Sequence, residues 1–129
     1  MRFSAFGIAL LTLAAMASDA RPHDHYSGTH DPVTGGQCCS TAKGDGYGDC
    51  HTLDIVPGVL TPEADGYRLR LTLEQARKIN PRRNAPVDTL IPWKRIQPAA
   101  DGKYAVCIPS HQYFTMKHDF YCFFEPPNT

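Results

Sequence analysis

The chain reads as a small, mostly-β domain: an antiparallel barrel or sandwich of about five short strands with one short helix, stapled by disulfides. Three observations carry that expectation. Gly66 to Leu73 alternates apolar and polar side chains with period two, the signature of a half-buried strand. Turn punctuation recurs along the chain at Pro57-Gly58, Asn80-Pro81, Asp101-Gly102 and Pro126-Pro127. Five cysteines follow a leader with the layout of an export signal.

The leader sets how the cysteines are read. Arg2 is followed by the apolar run Phe6 to Met16 and then by small residues at Ala15-Met16-Ala17, so residues 1–20 read as a cleaved signal peptide. The run is shorter than the about 20 apolar residues of a membrane span, and no later segment approaches that length. The mature protein is therefore expected to be exported, periplasmic or extracellular, without a transmembrane segment. Cysteines in such a compartment form disulfides by default. Cleavage leaves about 110 residues, one small domain whose modest core would need staples.

Residues 21–37 are rich in His, Asp, Gly and Thr and read as a flexible arm, with a single disulfide-stapled β domain over 38–129. The glycine-rich insert Lys43 to Gly48 cannot hold a helix and reads as a loop pinned by neighbouring cysteines. Thr52 to Val56 is a weak strand. In the strongest one, Tyr67, Leu69, Leu71 and Leu73 share the core face. Thr72 and Gln75 have capping-box spacing, predicting a short helix that runs to Ile79. Leu90 to Ile96 is extended, and Pro92, lacking a ladder donor, demotes it to an edge or a bulge. Lys103 to Ile108 and Asp119 to Phe124 complete the strands.

Thirteen basic and thirteen acidic residues cancel, which argues against a dedicated nucleic-acid binder. Their distribution is uneven: Arg68 to Lys103 carries most of the bases and Arg21 to Asp65 most of the acids. The ordinary reading is mutual neutralisation or solvation. The sharper one is a basic binding surface of Arg82, Arg83, Trp93, Lys94 and Arg95 beside the aromatic C-terminal third, facing an unknown envelope or protein partner. The Asp119 to Phe124 strand has aromatic residues on both faces, so it is buried on both sides or exposes an aromatic patch.

Two bridges from five cysteines leave one over. A Cys107–Cys122 bridge would close the loop between two adjacent strands, worth about 3 kcal/mol by chain entropy. Cys50 would then pair with Cys39, or with Cys38, and the other member of that pair would stay a thiol. The leftover residue is read as a buried cysteine or the link of a disulfide-bonded dimer, then as a metal ligand, and last as a redox thiol. Copper or zinc is the alternative cofactor expectation, at His111, Met116 and His118 in the C-terminal loop and at His23, His25 and His51. If cleavage follows Ala20, Pro22 blocks an amino-terminal copper site, because it has no backbone amide proton to lose. G-x-S-x-G, phosphate-cradling glycine loops and H-E-x-x-H are absent, so an enzyme is not expected.

The elements Cys38-Cys39-Ser40, Asp49-Cys50-His51, Pro92-Trp93-Lys94-Arg95, Asp101 to Cys107 and Cys122 to Pro127 resemble those of uncharacterised small exported cysteine-containing proteins of alphaproteobacteria. The resemblance covers about His25 to Pro127, with the Ala42 to Gly48 insert as a departure. It implies export and a disulfide framework, and brings no activity or cofactor. The function expected from all of this is an exported, non-catalytic binding or envelope-interaction module. A periplasmic copper- or zinc-binding protein is the first alternative, and a thiol-redox accessory protein the second.

Overall fold

The structure, a computed structural model, describes Tyr26, residues 28–39 and residues 49–127. The leader (1–20), His23, His25 and the Lys43 to Gly48 insert lie outside the described residues. Among the described residues, seven strands and one helix form in the order β1 (Cys50–Thr52), β2 (Leu60–Glu63), β3 (Gly66–Leu71), α1 (Leu73–Ile79), β4 (Val87–Pro92), β5 (Ile96–Pro98), β6 (Ala105–Cys107) and β7 (Cys122–Glu125). Two open sheets result, β2-β3-β4 and β1-β6-β7-β5, so the mostly-β expectation resolves to a sandwich and not a barrel. Every pairing is antiparallel except β5 with β7.

β3 forms where the alternation places it, burying Leu69 and Leu71 while Arg70 faces out. Tyr67 is half-buried because its hydroxyl donates to Glu125 Oε1 (2.7 Å), tying β3 to β7 across the two sheets. The adjoining carboxylate, with burial, pushes the phenol pKa well up. Leu73, expected on the same core face, starts the helix instead and is half-buried. The capping box is complete: Gln75 N–H donates to Thr72 Oγ1 and Thr72 N–H to Gln75 Oε1. α1 then buries Ala76 and Ile79 and packs on β1 and β3.

β2 carries no alternation to betray it, since Thr61, Pro62 and Glu63 all face solvent on an edge where proline is tolerated. The strand expected at Thr52 to Val56 is displaced: β1 ends at Thr52, because Cys50 and its neighbours take the ladder positions opposite β6. Gly66 lets β3 lie close against β4. A Cβ there would stand 1.9 Å from the Ile91 carbonyl oxygen, so β4 approaches too closely for any side chain.

β4 starts at Val87 and is the far edge of its sheet, as Pro92 requires. The extended run does not continue to Ile96. Trp93–Arg95 form one 3-10 turn, after which β5 joins the other sheet beside β7. The chain thus changes layers at the residue that cannot donate to a ladder.

The main core lies between the layers. Leu69, Leu71, Val87 and Ile91 from one sheet meet Val106, Phe123 and the loop residues Ile108 and Phe120 from the other side. Each fully buried Leu, Ile or Phe side chain contributes about 1.5–3 kcal/mol. β7 is buried on both faces: Phe123 enters this core, whereas Cys122 and Phe124 enter a second cluster with Tyr26, Cys38, Cys39, Cys50, Ala105 and Cys107. The arm supplies that outer cover. Its described part is irregular and packed down, with the Tyr26 ring tilted against Phe124 at 4.6 Å between ring centres.

The disulfides differ from the expected set. Cys38 bonds Cys122 and Cys50 bonds Cys107, while Cys39 keeps its thiol. Cys107 does stand opposite Cys122 in the β6–β7 register, but it also stands opposite Cys50 on β1, its other neighbour. That second neighbour is a long-range fact, joining positions 57 apart. The arm then lays Cys38 over Cys122, 84 positions away.

Candidate binding groove

Pro92 and the Trp93–Arg95 turn, the arm segment 31–37 and the loop 116–121 enclose a hollow of about 480 Å³. Asp31 builds the arm side. Its Oδ1 accepts from Val33 N–H (2.9 Å) and Thr34 N–H (2.8 Å), and its backbone carbonyl accepts from Gly35 N–H (2.9 Å). This is the self-bonded aspartate turn that a short carboxylate forms with its own following amides. His30 and Gln37 close it as a bridge.

Arg95 holds the three walls together. Its Nε donates to Asp31 Oδ2 (2.7 Å), its Nη2 to the Tyr121 carbonyl (3.1 Å), and its guanidinium lies 4.1 Å from the Phe120 ring centre. Both Arg95 and Asp31 are buried. Burial alone would raise the Asp31 carboxyl, but Thr34 N–H, the Arg95 guanidinium and Val33 N–H outweigh it and hold the group below its ordinary value.

Arg83 performs the same service further from the groove. Its Nε donates to Ala85 O (2.7 Å), Nη1 to Pro109 O (3.2 Å) and Asp119 Oδ1 (2.9 Å), and Nη2 to Pro86 O (3.0 Å) and Asp119 Oδ2. Each of the five N–H groups a guanidinium carries meets an acceptor. Asp119 N–H donates in turn to Thr89 Oγ1 on β4 (2.9 Å).

The expected basic surface is therefore corrected. Arg83 and Arg95 are 1% and 7% exposed, inside the fold because each has a buried carboxylate partner. Arg82 is exposed and lines neither the hollow nor its neighbour. Trp93 and Lys94 are on the surface. Trp93 is 46% exposed, its indole N–H donating to the Ala64 carbonyl (2.9 Å) and its ring meeting Tyr67 edge-on. They border a second hollow that shares Pro92, Lys94, Lys117 and His118 with the first.

The candidate metal ligands scatter. Met116 and His118 line the same hollow. His111 stacks on Tyr113 (4.1 Å) and does not line it, and His51 is exposed at β1 with Nδ1 2.9 Å from the Thr52 carbonyl. His23 and His25 lie outside the described residues. Among the described residues, Cys39, Asp49 and Cys50 bring potential donor atoms within 4.8 Å of one another, but Cys50 Sγ is spent in a disulfide and offers no thiolate.

The groove is apolar within and cationic around. Val33, Pro92, Met116, Phe120 and Tyr121 supply the apolar wall, Lys94 and Lys117 stand exposed beside it, and no carboxylate among the described residues lines this hollow, whereas Asp65 lines its neighbour. Burial first, then the charges of Arg95, Lys117 and Arg68, push the His118 imidazole pKa down. Sequence reasoning had Trp93, Lys94 and Arg95 in one set and Met116 and His118 in another. Nothing local in the sequence brings Val33, on the arm, to Lys117 and Phe120, which share the 116–121 loop.

Fold and groove together define a doubly disulfide-bridged β-sandwich with an apolar, cation-edged groove at the point where the chain changes sheets. No protein-family model, curated protein or solved structure matches this chain. No helix among the described residues is long and apolar enough to cross a membrane.

Proposed function

We propose that the protein is an exported, non-catalytic binding module whose groove takes an amphipathic anion, with the apolar body against Val33, Met116 and Phe120 and the anionic head near Lys94, Lys117 and His118. The observation that carries this is an apolar hollow of about 480 Å³, within the size range of small-molecule sites, without a carboxylate on its wall. Export is supported by the leader and by two intramolecular disulfides. Copper or zinc at Met116 and His118 is less favoured, because the cations that depress the imidazole would repel a bound metal ion.

Calorimetric titration with dodecanoate below its micelle concentration tests the reading, with dodecanol and dodecyltrimethylammonium as neutral and cationic controls. Dodecanoate should bind one to one, at least about tenfold more tightly than either control, and Lys94→Gln with Lys117→Gln should abolish the preference. Equal binding of the three chains, or none, would overturn it. A rise in melting temperature with zinc or Cu(I) that vanishes in Met116→Leu would establish the metal alternative instead.

A further inference from the structure

All five cysteines pack in one buried cluster behind the four-stranded sheet. Three stand abreast: Cys50, Cys107 and Cys122 are successive register partners on β1, β6 and β7. Side chains of directly opposite residues point to one face of a sheet. Over this row the arm brings Cys38, bonded to Cys122, and Cys39, whose Sγ lies within 4.8 Å of Cys50 Sγ. A buried thiol is ordinary as a small hydrophobe. This one is set beside a disulfide to which it does not belong, and attack of a thiolate on a neighbouring disulfide sulfur is how bridges are exchanged.

We infer that Cys39 is the nucleophile of an internal thiol–disulfide exchange that moves the Cys50–Cys107 bridge to Cys39–Cys50. In the step, Cys39 passes its proton to the partly buried Asp49 carboxylate, which hands it on to water, and its Sγ attacks Cys50 Sγ, all three donor atoms lying within 4.8 Å of one another. The Cys39–Cys50 bond forms, the Cys50–Cys107 bond breaks, and the electron pair leaves on Cys107 Sγ, which takes up a proton. One disulfide and one thiol enter and leave, so no oxidant or reductant is consumed. The released Cys107 faces Cys122 across β6 and β7. A second exchange of the same kind there forms Cys107–Cys122 and frees Cys38. The arm, which walls the groove from Val33 to Gln37, is thereby tethered through Cys39 in place of Cys38.

The test uses the oxidised full chain, held without reductant at about pH 8.5, near the pKa of a free thiol. It is then acid-quenched, alkylated and mapped by non-reducing tryptic mass spectrometry, with fragmentation separating Cys38 from Cys39. A Cys39–Cys50 linkage should accumulate with the label moving to Cys107 or Cys38, at a rate independent of protein concentration. Unchanged bridges with the label on Cys39 alone, or a rate proportional to concentration, overturns the inference. Cys39→Ser should keep both original bridges through the same incubation, and bridges that still move in it count against the role of Cys39. Cys107→Ser, exported from cells, should carry Cys39–Cys50 and label nowhere even after unfolding; labelling of both Cys39 and Cys50 contradicts the placement.

Discussion

Arg95 Nε donates to Asp31 Oδ2 at 2.7 Å, joining two buried side chains 64 positions apart. This pair sets the arm against the Trp93–Arg95 turn and so shapes one wall of the groove. Removing one partner strands a buried charge, which typically costs about 3–5 kcal/mol. Arg95→Met should therefore lower stability by that order in denaturant unfolding. It should also expose the Val33–Gln37 segment to protease before the sheets unfold.

Acid should act on the same contact. The Asp31 carboxyl is held below its ordinary value of 3.8, so its bonds contribute fully above that pH and are lost as pH falls through the depressed folded value. Stability measured from about pH 5 downward should fall with acid in the wild type. Asp31→Asn, weaker at neutral pH, should show a shallower fall over the same window.

Arg82 and Arg83 are neighbours with opposite fates. Arg83→Met leaves Asp119 buried without its cation and should cost about 3–5 kcal/mol in urea unfolding. Arg82→Gln changes an exposed side chain and should cost about 0.5 kcal/mol or less. Equal effects of the two substitutions would contradict the placement of Arg83.

Gly66→Ala must accommodate a Cβ 1.9 Å from the Ile91 carbonyl oxygen, a backbone atom that cannot rotate away. Separating β3 from β4 to relieve it should cost about 1–3 kcal/mol or more. A melting temperature within error of wild type would show that β3 and β4 lie further apart at Gly66 than described.

Ligand binding should depend on pH through His118. Burial holds its pKa below 6.5, with Arg95, Lys117 and Arg68 opposing its charge while Lys94 and Asp65 line the adjoining hollow. An anion beside the imidazole favours the protonated form, so binding takes up a proton and affinity for dodecanoate should rise as pH falls below 6.5. The same depressed pKa means that acid weakens the unliganded fold, whose imidazole resists protonation while the unfolded chain accepts it. His118→Gln should remove the pH dependence of affinity, read as Kd by calorimetry from about pH 7.5 to 5.5.

The elements legible in the sequence are those whose cause is local. β3 announces itself by alternation from Tyr67 to Leu71, α1 by Thr72 and Gln75, and the edge character of β4 by Pro92. β2 escaped because a solvent-facing edge strand needs no apolar pattern. At the groove and its neighbour, Lys94 and Trp93 belong to the surface set expected from the sequence, and Met116 and His118 to one C-terminal loop. The arm wall and the fate of Arg95 were not legible.

By itself, then, the sequence determined the β class, the presence of a disulfide framework and the positions of one strong strand and one helix, because dihedral preference, side-chain period and capping act within a few residues. Only the tertiary structure decided which cysteines bond, which arginines are buried and where the groove lies. Each of those depends on a partner dozens of positions away: Cys122 for Cys38, Asp119 for Arg83, Asp31 for Arg95. A charged side chain enters a core only when its counter-charge is already there, and which counter-charge is there is set by the packing of the sheets.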